Sequence, residues 1–451
     1  MENGKLKNLI RCAVFLLLLA LTIAGVQGVL RNGDNRSFQA QRGFAAEKEG
    51  VLDGVFIGAS NVHAFFEPPF IWDEYGFACY SYSVDSMDSW AIKYMITEAR
   101  KTQPDALFIV VLNSFKTTEP TVQSIHRSVD YLPWSANKVR LIGTLSREAG
   151  ITGLDQLEFY FPIIRFHSRW SELEEWDFSH QVNGMKGSLV YWPYLKNTQD
   201  VSKSYNLTTD LEALEEKQAE CLEDLLDYCD AEQVRVLFVT VPQAISDQTV
   251  LMQYNTIEDR VRERGYDCLD LMDPELCGIQ PDTDYYNKNH TNVHGSLKIS
   301  DYLADYLNEN YGFSDKRGAP GYESWDEAVA LYGDVIGPYT LSFERSHAPR
   351  NYDLTAPKLS KLKVDGQTIT VSWGETEGAE GYDVYRKAAD EYDGYWVYVA
   401  TVEDGLSLTD YGLFPGTSYT YTVVPYDRAE DGAERYGCFS YAGVSAATEE
   451  E

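Results

Sequence analysis

A serine and a histidine in two distant segments are the residues of this sequence best suited to chemistry. Residues 55–66 read VFIGASNVHAFF, so an apolar run stops at a small-residue turn that carries Ser60. Residues 284–300 read DYYNKNHTNVHGSLKIS and place His290 and His294 in a polar loop. A serine becomes a nucleophile when a neighbouring histidine accepts its proton. If the fold joins the two segments, they predict acyl-transfer chemistry.

Each of these segments also has an interpretation without catalysis. Gly58-Ala59-Ser60 could be a tight turn in which Ser60 caps the next helix. The two histidines could bind a metal, but the sequence offers no third Cys or His nearby to support such a site. We therefore expect no metal and no cofactor.

Alternating strand and helix patterns over residues 50–312 predict the elements that would position these side chains. Runs at 55–57, 106–112 and 234–241 are short and apolar on both faces, as in strands of a parallel sheet covered by helices. This alternation predicts an α/β fold, a three-layer sandwich with a mainly parallel sheet. Function in such a sheet lies at the carboxyl ends of the strands, and Ser60 follows the first of them.

Two helices of this region are predicted from apolar spacing. One covers residues 210–229, behind a cap at Thr208 and Thr209, and places leucines at helical spacing beside many acids. The last helix starts near Ser296 and stops at Gly312. The histidine-containing loop therefore lies just ahead of a helix.

The charge of the chain argues against one class of partner. Its 451 residues carry 70 Asp and Glu against 38 Lys and Arg, a formal net charge of −32. A nucleic-acid groove needs a basic footprint, so we expect no nucleic-acid partner. The length allows two or three domains with cores of their own.

The N-terminal segment, residues 1–31, has the layout of an exported or membrane-inserted segment. Lys5, Lys7 and Arg11 precede a long apolar run that a single Gln interrupts. Its length approaches the ~20 residues that span a bilayer, which favours a retained anchor. Residues 26–28, Val-Gln-Gly, could instead be a signal-peptide cleavage site. We expect the bulk of the chain outside the cytoplasm, at the cell membrane or, after cleavage, secreted.

The seven cysteines follow no metal-binding spacing such as Cys-x-x-Cys. Cys221 and Cys229 lie eight residues apart on a predicted helix, which is too far for a disulfide between them. A link between Cys268 and Cys277 stays open at this point.

After a loose polar connector at 313–353, with one short helix near 325–332, the pattern changes to strands. TITVSW, GYDVYRKA, YWVYVATV and SYTYTVVPYD alternate with period two, which predicts a small antiparallel sandwich. Residues 354–448 resemble a fibronectin type III domain, in which Trp373 lies on the second strand and LFPGTSY makes Tyr419 the tyrosine corner. Such domains are spacers or adhesive modules, and we expect no chemistry there.

The first region resembles a hydrolase family. A Gly-x-Ser turn after the first strand and a D/N-x-x-H loop before the last helix are similar to the SGNH/GDSL hydrolases, whose fold is flavodoxin-like. FIGASNV stands at the nucleophile block and NKNHTNVHG at the histidine block. Residues 159–170, FYFPIIRFHSRW, resemble a stretch of the membrane-anchored bacterial branch related to the D-alanyl transfer protein of teichoic-acid modification. The resemblance spans residues 50–312.

The resemblance implies roles for four residues at its two motifs. Ser60 stands at the position of the nucleophile and His290 at that of the general base. The family's acid normally lies three residues before the histidine, where this chain has Asn287, and Asp284 is the nearest upstream carboxylate. Either residue could orient His290, although an amide stabilises an imidazolium less than a carboxylate does.

The oxyanion-hole positions of the family are less clear in this chain. Ser83 stands near the expected glycine, and Asn113 ends a strand where the family has its asparagine. These two residues and the backbone N–H of Ser60 are the candidate donors. Asn113 could equally be a turn residue at a strand end.

A basic and aromatic group at His167, Arg169 and Trp170 is a candidate substrate contact. Arg binds carboxylate or phosphate in a bidentate manner and Trp stacks on sugar faces, so His167 and Arg169 would suit an anionic or sugar-containing substrate. Packing between domains is the alternative for Trp170.

Together these observations predict an extracytoplasmic serine esterase or O-acyltransferase that acts on acyl groups of a cell-surface glycan or glycopolymer. Its second partner would be the membrane, through the N-terminal helix. The alternative is a non-catalytic surface protein in which a decayed hydrolase fold binds a glycan or another protein. The asparagine at the acid position motivates that alternative.

Overall fold

A parallel sheet forms the centre of the first domain in the structure, which is a computed structural model. The structure describes residues 2–31, 36–116, 119–178, 182–191, 207–245, 247–281, 283–388, 396–440 and 442–449. The strands of this sheet are β1 Gly54–Gly58, β2 Cys79–Ser83, β3 Leu107–Val111, β4 Val236–Thr240 and β5 Asp267–Asp270. They pair in the order β2-β1-β3-β4-β5, and every described pairing between them is parallel.

Helices precede and follow these strands in the described part of the chain. They are α1 Glu2–Leu30, α2 Arg36–Ala46, α3 Ser60–Phe65, α4 Pro68–Tyr75, α5 Ile92–Ala99, α6 Val122–Val129, α7 Ala136–Glu148, α8 Leu157–Tyr160, α9 Ile163–Phe166, α10 Glu175–Phe178, α11 Glu216–Glu232, α12 Gln248–Glu263, α13 Val293–Tyr311 and α14 Glu323–His347. A two-stranded ribbon, β6 Tyr285–Asn287 and β7 His290–Thr291, lies just before α13.

The sheet carries a hydrophobic core on each face. Val55 and Ile57 of β1 belong to one core, which also contains apolar residues of α5, α7, α11 and α12. Phe56 points to the other, which contains residues of α3, α4 and α13. Because side chains alternate across a strand, a strand covered on both faces is buried at consecutive positions, and the residues of β1 to β4 are all buried. The prediction of an α/β domain with a mainly parallel sheet is confirmed.

The turn after β1 places Ser60 at the carboxyl edge of the sheet. β1 ends at Gly58, and α3 begins at Ser60 after a single residue, Ala59. Gly58 permits this short turn because a Cβ at that position would lie only 2.8 Å from the Val62 side chain. The first helix turn therefore packs directly against the strand it follows.

The predicted start of the helix at residue 210 is wrong, since α11 begins at Glu216. The side-chain amide of Asn255 on α12 donates to the carbonyl groups of Thr208 and Asp210, at 2.7 and 2.8 Å. Carbonyl groups held in this way are not available for the first turns of a helix. Tertiary contacts thus override the local helical pattern.

The final helix of the domain begins slightly earlier than the spacing predicts. Asn292 caps α13, and its side chain accepts hydrogen bonds from the backbone N–H groups of His294 and Gly295. The helix starts at Val293 rather than near Ser296. Its predicted end is confirmed, because Gly312 adopts a left-handed conformation there.

The connector contains α14, a helix of 25 residues, where the sequence predicts only a short one. Near its start Trp325 is buried against Trp72 of α4, with ring centroids 5.5 Å apart. Near its end the guanidinium of Arg345 donates to the carboxylate of Asp383 at 2.6 Å. The helix therefore contacts both the first domain and the region after it.

The C-terminal region is a separate antiparallel β structure. Its strands are β8 Lys363–Asp365, β9 Thr368–Ser372, β10 Gly381–Ala388, β11 Val397–Val402, β12 Ser407–Asp410, β13 Ser418–Arg428, β14 Glu434–Tyr436 and β15 Val444–Ala447. One sheet has the order β11-β10-β13-β14, with β15 on β13, and the other has the order β12-β9-β8. Trp373 and Tyr421 lie in the core of this region, and the Tyr419 hydroxyl accepts a hydrogen bond from the backbone N–H of Phe414 at 3.1 Å.

The N-terminal helix α1 is long and apolar enough to cross a membrane. An 18-residue stretch within its Lys5–Leu30 portion has a mean hydropathy of 2.5. A signal sequence near an N-terminus has the same length and composition, so this criterion does not separate an anchor from a signal.

All seven cysteines are free in the structure, including Cys268 and Cys277. The disulfide that the sequence left open between those two is therefore not formed.

Candidate active site

The fold brings Ser60 and His290 into direct contact across 230 positions of sequence. The Nε2 atom of His290 lies 2.9 Å from the Oγ atom of Ser60. Ser60 is the first residue of α3 and His290 the first of β7. At this distance a histidine can accept the hydroxyl proton as the oxygen attacks an electrophile.

Asn287 fixes the orientation and the tautomer of the histidine. The side-chain oxygen of Asn287 accepts the backbone N–H groups of Asn289 and His290, at 2.8 and 3.1 Å, and lies 3.1 Å from Nδ1 of His290. Two backbone donors identify that atom as the amide oxygen, which can only accept. Nδ1 of His290 must therefore carry the proton, and its Nε2 presents a lone pair to Ser60.

Asp284 has a different position from Asn287. Its carboxylate accepts from Lys298 Nζ at 2.6 Å and from the backbone N–H of Gln280 at 2.8 Å, and it is almost fully buried. These bonds hold the loop ahead of α13 in place. Of the two candidate orienting residues, the structure places Asn287 on His290 and directs Asp284 to Lys298.

Burial is the main electrostatic influence on the histidine. It lowers the pKa of His290 from 6.5 to about 4, since the charged imidazolium loses hydration. The carboxylate of Asp85 opposes this effect, and the guanidinium of Arg36 adds to it. At neutral pH His290 is therefore uncharged, which is the state required of a general base.

A pocket of about 390 Å³ opens beside Ser60. Residues that follow the carboxyl ends of four different strands contribute to its lining, together with the histidine loop. They include Ser60, Asp88, Asn113, Gln243 and His290. This volume lies within the range of small-molecule sites, so the pocket can admit one acyl group and part of a larger substrate.

The two predicted oxyanion residues occupy different places. Asn113 lines the pocket, where its side chain bonds both backbone groups of Val241, accepting from N–H at 2.8 Å and donating to C=O at 3.0 Å. Ser83 is buried below the pocket, with its Oγ atom 3.0 Å from Nδ1 of His63. Asn113 thus lines the same pocket as Ser60 and is rigidly held, whereas the Ser83 side chain faces a second histidine, His63.

Tyr191 is a residue of this site that the sequence analysis missed. Its ring stacks on the imidazole of His290, with centroids 5.1 Å apart and planes 16° from parallel. Burial raises the pKa of its phenol to about 12, so the ring stays neutral. It comes from a loop about 100 residues before the histidine, and no motif in the sequence marks it.

His63 is also close to His290 and was not singled out from the sequence. Burial lowers its pKa to about 4. Its Nε2 atom lies 3.6 Å from the carboxylate of Asp85, the same side chain that influences His290. The His63 imidazole does not contact the hydroxyl of Ser60, because its Nδ1 faces Ser83 and its Nε2 lies near Asp85.

Asp88 adds a second ionisable group to the pocket. It is buried and accepts the Ser124 hydroxyl at 2.7 Å. Burial raises the pKa of its carboxyl group to about 6. Above that pH the pocket gains a negative charge, which disfavours anionic groups bound next to it.

His167 and Arg169 lie away from this pocket. The Arg169 guanidinium forms two bonds to the buried carboxylate of Asp177, at 2.9 and 3.0 Å, and a third to the carbonyl of Leu30 at 2.8 Å. His167 is exposed, and its Nδ1 bonds the carbonyl of Ile164. Neither is among the residues that line the pocket at Ser60, so the structure does not bring them to the reacting atoms.

Within the described residues, no group of three or more His, Cys, Asp or Glu side chains is arranged to hold a metal ion.

Comparisons with known proteins bear on the fibronectin-like part of the chain. No protein-family profile matches the sequence, and no curated protein matches it. The fn3 domain of the human collagen alpha-1(XX) chain is 22% identical over 22% of this chain and 88% of its own, with a TM-score of 0.18. An Fn3-like protein from Clostridium thermocellum is 23% identical over 22% of this chain and 95% of its own, with a TM-score of 0.16. The structure of FN3tt is 19% identical over 22% of this chain and all of its own, with a TM-score of 0.17.

These neighbours show fibronectin type III domains at low coverage of the chain. They give no evidence for the hydrolase resemblance of residues 50–312.

The low pKa of His290 predicts the acid limb of a pH profile. If His290 acts as a general base, its neutral imidazole is the working form, so kcat/KM on a small ester will be constant near neutrality and will fall as the pH drops through about 4. In Asn287→Asp a carboxylate beside Nδ1 favours the imidazolium, so the same limb will move to higher pH. The measurement is kcat/KM between pH 3.5 and 8, with circular dichroism at each pH to verify folding. A wild-type midpoint near 6.5 would show that the base is a solvated histidine and not buried His290.

Proposed function

We propose that this protein is an extracytoplasmic serine esterase or O-acyltransferase of the SGNH/GDSL type. The observation that carries the proposal is the 2.9 Å contact between Ser60 Oγ and His290 Nε2 at the mouth of a pocket. Both residues are half-buried, so the hydroxyl remains accessible from the pocket. The neutral state of His290 supports the same proposal, because a protonated imidazole cannot accept the serine proton.

The proposed reaction has two steps. Ser60 Oγ attacks the acyl carbonyl while His290 Nε2 takes its proton, and His290 then gives that proton to the leaving alcohol as the acyl–oxygen bond breaks. In the second step water or a sugar hydroxyl attacks the acyl-serine while His290 Nε2 takes its proton. His290 then gives that proton to Ser60 Oγ as the acyl–Oγ bond breaks, which releases the free acid or the acylated sugar. Asn287 holds the imidazole in the required tautomer throughout.

The developing negative charge on the carbonyl oxygen needs nearby donors. The side-chain amide of Asn113 and the backbone N–H of Ser60 are the proposed donors, since both residues line the pocket. The Asn113 amide already bonds Val241 and, at 3.3 Å, Gln243. The longer of these bonds is the one that a bound oxyanion would replace.

The topology of the sheet supports the family proposal. The order β2-β1-β3-β4-β5 is that of flavodoxin-like sheets, in which ligands bind outside the carboxyl ends of the strands at the switch point next to the first strand. Ser60 follows β1 and Asn113 follows β3, so the pocket lies at this switch point.

We propose acyl groups on a cell-surface glycan or glycopolymer as the substrate. An anchored α1 would hold the pocket outside the cell, where such polymers are the available acyl acceptors and donors. The C-terminal fibronectin-like region, residues 354–448, would act as a spacer or binding module without chemistry of its own.

The test of this function is ester turnover by the full chain in detergent or nanodiscs. We expect hydrolysis of p-nitrophenyl acetate and release of acetate from an O-acetylated glycan. With a sugar acceptor added, transfer of the acyl group would identify a transferase. Failure to turn over any ester, in a folded protein, would contradict the proposal.

The second candidate is a non-catalytic glycan- or protein-binding protein on the same fold. It is favoured by one observation, the amide of Asn287 where the family has a carboxylate. It predicts saturable binding of a glycan that is equal for the wild type and Ser60→Ala, with no ester turnover by either.

A further inference from the structure

Several large apolar side chains are exposed between residues 134 and 178, a part of the chain that includes elements in contact with α1. Trp170 is 73% exposed, Phe178 64% and Leu154 82%. We call the set the apolar rim, and its members are Trp134, Leu154, Phe161, Ile164, Trp170 and Phe178. Soluble proteins seldom expose a group of large apolar side chains to water. Such a group indicates a surface that contacts an apolar partner.

The rim is attached to the last turn of α1. Elements α9 and α10 and the 3₁₀ turn His167–Ser171 all contact α1. The backbone N–H of Ile163 donates to the side chain of Gln27 at 3.3 Å, and the Arg169 guanidinium donates to the carbonyl of Leu30 at 2.8 Å. Gln27 and Leu30 are buried. The rim therefore has a defined place relative to the helix.

The basic residues of α1 indicate where the apolar rim lies relative to the bilayer. Lys5, Lys7 and Arg11 lie at the opposite end of the helix from Leu30. From Arg11 to Leu30 the helix has about 20 residues, which at 1.5 Å each is the thickness of the hydrocarbon core of a bilayer, about 30 Å. If basic residues mark the cytoplasmic side, Leu30 lies at the outer membrane–water boundary and the rim surrounds it.

The composition of the rim fits that boundary. Trp and other aromatic side chains are favoured where hydrocarbon meets headgroups, since one part of the ring is apolar and the other can bond water. Internal contacts hold the rim in shape: the ring of Trp134 lies 6.2 Å from that of Phe161, and the buried ion pair of Arg169 and Asp177 fixes the turn before Phe178.

We infer that the apolar rim rests on the outer leaflet of the lipid bilayer that α1 crosses, as a second membrane contact. The inference rests on the proposed anchoring by α1 and is independent of the catalytic assignment. It gives the segment that contains His167 and Arg169 a role in seating the domain on the membrane. It also means that one face of the first domain is held against the lipid, so that the domain does not move freely on a tether.

The test is photocrosslinking of the full chain in nanodiscs of phosphatidylcholine and phosphatidylglycerol. Benzoylphenylalanine is placed at Trp170 or, as the matched control, at Phe414 of the C-terminal region, which is 74% exposed. A third variant carries it at Leu17 within α1, to report the anchoring itself. We expect lipid adducts by mass spectrometry at positions 170 and 17, and at least tenfold less at position 414.

Three other results would each contradict the inference, and each would identify the step that is wrong. Lipid adducts at 17 but not at 170 would mean that α1 is anchored and the rim is not on lipid. No adduct at 17 would refute the anchoring on which the inference rests. A crosslink from 170 to a second copy of the chain, without lipid adducts, would make the rim a protein interface.

A second measurement uses native tryptophans. In nanodiscs made with dibrominated lipid, emission from Trp170 should be quenched, so Trp170→Phe will reduce the quenched fraction of total emission. Trp396→Phe, which removes a buried tryptophan of the C-terminal region, will not reduce it. Equal effects of the two substitutions would contradict contact between the rim and lipid.

Discussion

Replacing Ser60 with alanine will lower ester turnover by about 10³-fold or more. The hydroxyl oxygen is the proposed nucleophile, so its removal leaves only the background provided by binding and the oxyanion donors. A loss of 10³ corresponds to about 4 kcal/mol of transition-state stabilisation. The measurement is kcat on p-nitrophenyl acetate for Ser60→Ala beside the wild type.

Ser114→Ala is the matched control for that substitution. Ser114 lines the same pocket, and its hydroxyl donates to the carbonyl of Val111 rather than to a histidine. We expect it to keep most of the activity. Equal rates for Ser60→Ala and the wild type would remove Ser60 from the mechanism, and an equal loss in both variants would point to damage of the pocket.

Replacing His290 with alanine will reduce kcat by about 10³-fold with a small effect on KM. The imidazole transfers a proton only in the transition state, so its loss should not weaken substrate binding to the same extent. The contact of Nε2 with Ser60 at 2.9 Å is the basis of this prediction.

His294→Ala separates the two histidines of the motif. His294 lies in the first turn of α13, four residues after His290, and its backbone N–H bonds the capping Asn292. We expect this variant to retain most of the activity. The opposite ranking of the two variants would move the base to His294 and invalidate the proposed mechanism.

The sequence predicts the architecture of the first domain well where strands are uniformly apolar. The runs at 55–57, 106–112 and 234–241 correspond to β1, β3 and β4. Two strands escaped prediction. β2 reads CYSYS, so its buried serines alternate with aromatic residues as in a half-exposed strand, and β5 is an edge strand whose residues are partly exposed. Hydrophobic pattern alone does not reveal such strands.

The residues of the site that lie in local sequence motifs could be predicted from the sequence. Ser60 and His290 stand in recognisable segments, and Asn287 lies three residues before the histidine, where the hydrolase resemblance places the orienting residue. Tyr191, His63 and Asp85 are different, because only the tertiary fold brings them to the imidazole.

The assignment of His167 and Arg169 as substrate contacts illustrates the opposite problem. The residue types suit an anionic substrate, but sequence does not show that Asp177 already neutralises Arg169. Three of the five N–H donors of this guanidinium are occupied inside the protein, and it lies away from the pocket at Ser60.

Covalent labelling by a fluorophosphonate tests the central claim, that Ser60 is an activated nucleophile. Such a probe forms a bond only with a serine whose hydroxyl is deprotonated by a base as it attacks. The full chain in nanodiscs is incubated with the probe, digested and mapped by mass spectrometry, with His290→Ala and Ser114→Ala in parallel. The account predicts a single modified serine, Ser60, in the wild type and in Ser114→Ala, and at least tenfold slower labelling in His290→Ala. Labelling of another serine, or none in a folded wild-type protein, would contradict it.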